Sequence, residues 1–483
     1  MTTDALLSSP GKSHALAGRL GPAAIVFMVV AAAAPLTVVA GTVPLGIAAG
    51  NGAAFPASYV VCTAVLLLFA VGFTAMSRHI RGAGAFYTYV AHGLGRHTGL
   101  GAAFLALLSY TAVQGAVYGY IGAAVNDLVT SYGGPAVPWF VYAVAMMAVV
   151  ATLGYRHIEL SGKVLGVLLI CEVGIVMVIN AAVLGRGGPE GLSTAALHPG
   201  NFFSGAPGIA LIFAIAGYIG FEATAVFRDE ARDPARTIPR ATYLALLLIG
   251  GFYALSSWAM VTAWGDAGAV ALATENPEGM ITETATRYVG SVAGQLVQIL
   301  LITSLFAALL SFHNVLARYI FALGNTRALP SWCGRSHARH ASPYLASVVQ
   351  TVSALVLVAV SAAAGLDPVT QVFAWFAGVS SVGIVALMTL TSAAVIVYFR
   401  RWRFDTRVWH TLIAPGLGFA GLAVLLVMTA VNLPLLVGGS TTLAAIIGVL
   451  LAGAFLGGAA VAVRRPHAAR HDNPTDNEME TAR

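Results

Sequence analysis

Apolar runs of twenty or more residues follow one another along the chain, separated by short polar stretches that carry a few basic residues. No Asp, Glu, Lys or Arg occurs from Leu20 to Ser77, from His97 to Asn126 or from Val408 to Val463. A helix needs roughly 20 apolar residues to cross a bilayer, so the first and last of these blocks each have room for two crossings. Counted through, the pattern predicts twelve spans, near residues 21–48, 54–77, 98–129, 136–155, 159–184, 207–228, 240–264, 292–324, 343–364, 369–399, 411–431 and 440–463. The segments 98–129 and 292–324 are long enough to tilt or to project beyond the bilayer.

Composition removes the aqueous alternative. Of 483 residues, 58% are hydrophobic and 9% charged, with a mean hydropathy of +0.83; soluble domains carry roughly 25% charged residues. With the N-terminus in the cytoplasm, twelve spans leave 23 of the 25 basic residues on the cytoplasmic side and only Arg186 and Arg287 outside, as the positive-inside rule expects. The same asymmetry accounts for the net charge of +6. The arginines are spread over short loops instead of one face, which excludes a nucleic-acid binder. Cys62, Cys171 and Cys333 are too few and too scattered for a disulfide framework or a zinc site. The first apolar run is too long for a cleavable leader and is expected to act as a signal-anchor. The polar residues after Arg464 read as a disordered tail.

Two spans are interrupted. The first contains Ala34-Pro35-Leu36-Thr37, and proline removes a backbone donor and clashes with the preceding turn. The sixth is cut by Gly217-Tyr218-Ile219-Gly220, with Glu222 just beyond. Irregular backbone at membrane depth is tolerated only where it lines a cavity or is buried in protein. A simple kink is the plainer reading of Pro35 taken alone. The breaks lie five spans apart, however, so they enter from opposite faces, as expected of an inverted five-plus-five repeat with its site at the interface.

Four segments carry a resemblance to the amino acid–polyamine–organocation (APC) transporters along nearly the whole chain. Arg81-Gly-Ala-Gly-Ala-Phe-Tyr-Thr-Tyr-Val-Ala-His-Gly-Leu-Gly95 resembles the family's glycine-aromatic motif before span 3. Ile219-Gly-Phe-Glu222 resembles the break in span 6. Asp229-Glu-Ala-Arg-Asp-Pro-Ala-Arg-Thr-Ile-Pro-Arg240 is similar to the loop between spans 6 and 7. The stretch from Asn314 to Pro330 is similar to the end of span 8. The resemblance implies an all-α integral membrane fold of the LeuT type, a 5+5 inverted repeat within twelve transmembrane helices. Its parts would be a cytoplasmic segment 1–19, a ten-helix core 20–399 (repeats 20–184 and 207–399), accessory helices 400–463 and a cytoplasmic tail 464–483.

The resemblance also nominates a substrate site. Span 1 supplies Ala34, Pro35, Leu36 and Thr37; span 6 supplies Phe213, Gly217, Tyr218, Ile219 and Gly220; span 3 supplies Ser109, Tyr110 and Gln114; and span 8 supplies Phe312. Exposed amides at a half-helix N-terminus attract a carboxylate, and aromatic faces attract an ammonium. Core packing is the alternative for Phe213 and Phe312, and an interhelical hydrogen bond is the alternative for Gln114. Many amino-acid members have a Gly-Ser-Gly-like break in span 1, whereas this chain has Ala-Ala-Pro-Leu. Fewer flexible amides there make a substrate recognised through its amine, such as a polyamine, more plausible.

Glu222 and Glu172 are the acidic residues well inside predicted spans. A carboxylate at membrane depth is a functional hypothesis by default. Desolvation favours the neutral form of a carboxyl group, so either residue suits proton coupling. A permanently hydrogen-bonded structural carboxyl is the alternative for both. Glu172 aligns where some members carry a lysine in place of a sodium ion. His313 is a further titratable candidate, or a packing histidine.

The expected function is a secondary active transporter that imports an amino acid or related amine by alternating access, with a proton as the coupling ion. The alternatives are a polyamine or organic amine transporter and an amino-acid exchanger. A membrane-embedded enzyme is the distant alternative, since neither HExxH nor GxSxG occurs. No cofactor or nucleic-acid partner is expected. Twenty-three arginines to two lysines, with heavy alanine use, point to a bacterial cell membrane, with both termini cytoplasmic.

Overall fold

The computed structural model describes residues 21–80, 85–155, 162–226, 231–336, 343–402 and 404–464. The expected N-terminal segment and tail, Arg81 of the glycine-aromatic motif, and Asp229 and Glu230 of the 229–240 loop lie outside the described residues. Among those described, the chain is mainly helical; strand-like pairing is confined to isolated bridge residues, with Gly188 paired to Gly191 and another at Ala231. Nine helices among the described residues are long and apolar enough to cross a membrane, and three shorter apolar ones accompany them.

Two of the shorter ones, Pro22–Ala31 and Pro207–Ala216, end where expected spans are cut. Helix α1 (Pro22–Ala32) is followed by α2 (35–51), which winds into wide π-turns at Val38–Thr42 and Ile47–Asn51. Between them Ala34 stands at φ 47° and ψ 70°. A residue before proline is disfavoured in the right-handed helical region, and an L-residue in the left-handed one costs about 1–2 kcal/mol. The break at Pro35 is therefore sharper than a kink. Pro44 within α2 lacks the amide that a regular helix would use.

Next come α3 (Phe55–Ser77), α4 (Ala85–Leu94), α5 (Arg96–Ser131), α6 (Trp139–Tyr155) and α7 (Gly162–Arg186). Helix α8 (Pro207–Ala216) stops at Gly217, and the helix resumes after the second break as α9, described over Ala223–Val226. The chain continues as α10 (Pro234–Trp264), the short α11 (Asp266–Glu275) and α12 (Met280–Tyr288), and α13 (Ser291–Asn325). It ends with α14 (Tyr344–Ala363), a π-turn at Pro368–Phe373 leading into α15 (Ala374–Trp402), α16 (Ala414–Leu436) and α17 (Thr441–Arg464).

Burial separates centre from rim. In its most apolar stretch α5 is 72% buried, whereas α16 is 28% and α17 17% buried. Helix α5 packs against α4, α6, α13, α15 and α17. It approaches α15 closely because Gly119 has no side chain: a Cβ there would lie 2.8 Å from the Pro368 carbonyl. On the rim, Val424, Val427, Val431 and Val449 are more than half exposed, an apolar surface that suits lipid and not water. One end of the bundle, here the cap end, is covered by α11 and α12. Tyr288 on α12 donates to the Gly187 carbonyl at the end of α7 (3.3 Å), which places Arg186 at this end.

Candidate functional site

The second break is wound as consecutive tight turns. Amides of Gly217, Tyr218, Ile219 and Phe221 donate to carbonyls three residues earlier, at 3.0–3.2 Å. Gly220 takes φ 108°, a conformation that glycine adopts without the steric cost met by other residues. Its amide donates to Glu222 Oε2 at 2.9 Å. The Tyr110 hydroxyl of α5 donates to Glu222 Oε1. Both carboxylate oxygens are thus held, and Glu222 is 4% exposed. Phe221 turns the other way, into an aromatic cluster with Phe69, Phe73 and Phe86 at centroid distances of 6.1–6.5 Å, which anchors the break to α3 and α4.

Two rings of α13 complete this locus. Phe312 lies 6.3 Å and Tyr319 6.2 Å from the Tyr110 ring, centroid to centroid. The Tyr319 hydroxyl is buried and has no hydrogen-bond partner among the described residues. Tyr319 was not among the expected site residues. Its signal was its position seven residues after Phe312, two turns along the same helix face.

A second locus joins the first break to Glu172 on α7. Ser304 on α13 donates to Glu172 Oε2 at 2.8 Å, and Thr37 donates to Ser304 Oγ at 3.2 Å. Glu172 therefore ties α7, α2 and α13 together. Ser304 was unexpected too, since a serine in an apolar helix gives no sign of its partner. The two breaks also meet: a Cβ on Gly217 would lie 3.1 Å from Val38 and 3.0 Å from Tyr253.

The remaining expected residues divide. Ala34, Pro35, Leu36 and Thr37 are all buried at the first break. Tyr218 points away from Tyr110: its hydroxyl sits 2.6 Å from Thr63 Oγ1 and donates to the Tyr59 carbonyl of α3 at 3.0 Å. Phe213 and Ile219 are buried among apolar neighbours. Ser109 donates back to the Leu105 carbonyl at 2.7 Å and packs where Gly383 leaves room. Gln114 accepts from Gln350 of α14, the interhelical bond that was the alternative for it. His313 pairs with Ser347 at 2.7 Å and packs on Gly154, away from the Phe312 ring's partners. A cavity of about 350 Å³ opens at the cap end, bordered by Gly50, Asn51, Asn201 and Asp266; neither Tyr110 nor Glu222 borders it.

The arrangement can do two things chemically. It holds two carboxyl groups in apolar surroundings with defined donors, and it sets aromatic faces beside one of them. The first is a means of binding a proton or a cation, the second of stacking on an ammonium or apolar group.

Comparison with known proteins adds the family. Residues 20–452 match the sequence profile described as "Amino acid permease". An uncharacterized transporter of Mycobacterium tuberculosis (strain H37Rv) is 33% identical over 144 residues, covering 29% of this chain and 30% of that protein. The low-affinity putrescine importer PlaP of Escherichia coli K12 is 22% identical over 63% of this chain and 67% of its own length. The serine/threonine exchanger SteT of Bacillus subtilis is 24% identical over 58% of this chain and 62% of its own length. The mycobacterial relative is thus matched over less than a third of its length. The chain belongs to the amino acid permease family of the APC superfamily and is a multi-pass membrane protein.

Proposed function

We propose that this chain imports an amino acid or a related amine across a bacterial cell membrane by alternating access, coupled to protons. In this reading the fold is of the LeuT type, with twelve spans, repeats 20–184 and 207–399, and accessory helices within 400–463. Both termini face the cytoplasm and the cap end faces outward. The observation that carries the reading is the two-sided hold on Glu222 at the break after α8, by Tyr110 and by the Gly220 amide. A carboxyl group so placed can exchange a proton when the break moves and its donors part. Substrate would lie beside Tyr110, Phe312 and the two breaks. Glu172 would be the second coupling group, sensing α2 through Ser304 and Thr37.

One observation favours an amine over an amino-acid carboxylate as the recognised group. The first break is Ala34-Pro35-Leu36-Thr37, without glycine, and the Pro35 nitrogen carries no donor, so few free amides face an anion there. The acidic Glu222 and the aromatic rings remain, and they suit an ammonium. The relatives include a putrescine importer and an exchanger, so polyamine import and amino-acid exchange are the readings to be separated.

The test is uptake into proteoliposomes of a labelled panel of amino acids, polyamines and small amines, with and without an inward proton gradient. Wild type should accumulate one compound under the gradient, and Glu222→Gln should not. Accumulation that persists in the variant would remove Glu222 from coupling. Uptake of nothing in the panel by folded protein would overturn the amino-acid and amine reading.

A further inference from the structure

The connection between α15 and α16 carries a patch of arginines and aromatic rings. Its sequence is Phe399-Arg-Arg-Trp-Arg-Phe-Asp-Thr-Arg-Val-Trp-His410, with four arginines to one aspartate. Arg400 and Arg401 stand in the last turn of α15, where the carbonyl end of a helix favours cations. Both are exposed, and neither makes an ion pair among the described residues. The Arg401 guanidinium lies 5.4 Å from the Trp402 ring centroid. Arg407 differs: its Nε and Nη2 donate to the two Asp405 carboxylate oxygens at 3.0 and 2.6 Å, a fork that fixes the bend and cancels the charge of this pair.

The patch is built on a firm base. The Trp402 and Phe404 rings are parallel to within 2° with centroids 6.1 Å apart, and Phe404 stacks in turn on His79, just beyond α3, at 5.4 Å. A π-turn at Trp409–Ile413 then leads into α16. A Cβ on Gly72 would lie 2.6 Å from Pro415, and one on Gly418 would lie 2.9 Å from the Phe69 nitrogen, so this end of α16 is pressed directly onto α3. Above that base Phe404, Val408 and Trp409 are each about half exposed.

Tryptophan and phenylalanine half in view are at home at the level of lipid headgroups, where one side meets acyl chains and the other water. The apolar rim runs up to them: Val397 on α15 and Leu417 on α16 are 41% and 50% exposed. An anion that meets the arginines here therefore stands at the end of acyl chains lying along α15 and α16, which selects a phospholipid over a soluble anion. Guanidinium groups without a carboxylate partner select one whose headgroup carries net negative charge. Basic residues at span ends and aromatic rings at the interface are each general in membrane proteins; here two unpaired arginines flank a stacked platform fixed to α3. We infer that Arg400 and Arg401, with Trp402, Phe404 and Trp409, form a binding site for the headgroup of an anionic phospholipid where α15 and α16 meet the end of α3.

The test uses the full chain in nanodiscs of phosphatidylcholine, with brominated phosphatidylglycerol or brominated phosphatidylcholine added in small increments. Bromine on an acyl chain quenches nearby tryptophan, and the difference between wild type and Trp409→Phe isolates the ring in the patch. The anionic lipid should quench that ring at about tenfold lower mole fraction than the zwitterionic one, and added salt should shrink the preference. Arg400→Gln with Arg401→Gln should make the two lipids equivalent. Should that variant not insert, the salt dependence of wild type serves the same reading. Equal quenching by the two lipids in wild type would overturn the site, as would a preference indifferent to salt or to the double substitution. Loss of the preference on adding inorganic phosphate at matched ionic strength would reveal a site for a free ion and overturn the assignment to lipid. No uptake is read, so failure here leaves the transport reading untouched.

Discussion

Tyr110 donates its hydroxyl to Glu222 across 112 residues of chain, while the Gly220 amide, two residues away, takes the other carboxylate oxygen. One partner belongs to a continuous, buried helix and the other to the interrupted one. Any motion of the break relative to α5 must stretch or exchange this pair of contacts. Hydrogen bonds to a charged partner contribute about 1.5–3 kcal/mol, or roughly ten- to a hundredfold in an equilibrium. Tyr110→Phe should lower gradient-driven uptake by about tenfold or more while leaving the protein folded. Uptake within a factor of two of wild type would show that the bond is incidental.

The chain Thr37–Ser304–Glu172 invites a stability measurement. Ser304→Ala removes the donor to a buried carboxylate and the acceptor for Thr37, and an unsatisfied buried group costs about 1–3 kcal/mol. Thermal unfolding in detergent should show a lower midpoint than for Thr303→Ala, the neighbouring residue whose hydroxyl only returns to the Leu300 carbonyl. Equal midpoints would mean that Glu172 finds another donor.

Glycine at the second break is required by backbone geometry, not by space. No atom would meet a Cβ on Gly220, yet its φ is 108°. Gly220→Ala should cost about 1–3 kcal/mol and reduce uptake. Gly251→Ala, inside α10 with open space around it, should leave stability unchanged or raise it by about 0.5–1 kcal/mol. The two alanine variants compared by unfolding midpoint give the check, and a cost at Gly251 equal to that at Gly220 would remove the argued strain.

Acidity should act on the cap end with a definite sign. Glu278 is raised by burial to about 7, so its neutral form is favoured while α11 and α12 are packed down. The packed state then binds more protons than a state with Glu278 in water, between the ordinary carboxylate range and about pH 7. Packing is accordingly strongest at low pH and weakens as pH rises through that window. Limited proteolysis in the turn between α11 and α12, corrected for the protease's own pH dependence on a free peptide, should therefore be faster at pH 8 than at pH 6, and Glu278→Gln should flatten the difference. Cleavage that slows as pH rises would contradict the assignment.

The start of α10 and the residues that lead into it offer a test of motion. Arg236 approaches Asp233 at 3.9 Å with both side chains largely exposed, a pair worth about 0–1 kcal/mol. If Arg232 and Arg236 make contacts that differ between inward- and outward-facing states (a hypothesis resting on their place beside the broken helix), replacing both with alanine should change the transport rate but not expression. An unchanged rate would count against such contacts.

Much of this molecule is legible in residue order. Twelve apolar segments, two interruptions and two carboxylates at depth follow from hydropathy, from Pro35, from Gly217 and Gly220, and from Glu172 and Glu222 themselves. These are local properties: each residue's solvation and backbone freedom travel with it wherever the chain folds. Partnership is not local. The same chemistry allowed Tyr218 to face a substrate or α3, and it faces Thr63. Gln114 was equally able to serve a ligand or a neighbour, and it meets Gln350 from 236 positions away. Ser304 carried no sign of the carboxylate beside which it lies. Which groups meet depends on how helices rotate and cross, and that is decided by small residues such as Gly119 that let particular backbones approach. The amino-acid sequence by itself determined that this is a multi-pass membrane protein with two broken helices. Only tertiary packing decided which side chain holds each buried carboxylate, because a group withdrawn from water must take its partner from whatever helix is brought alongside.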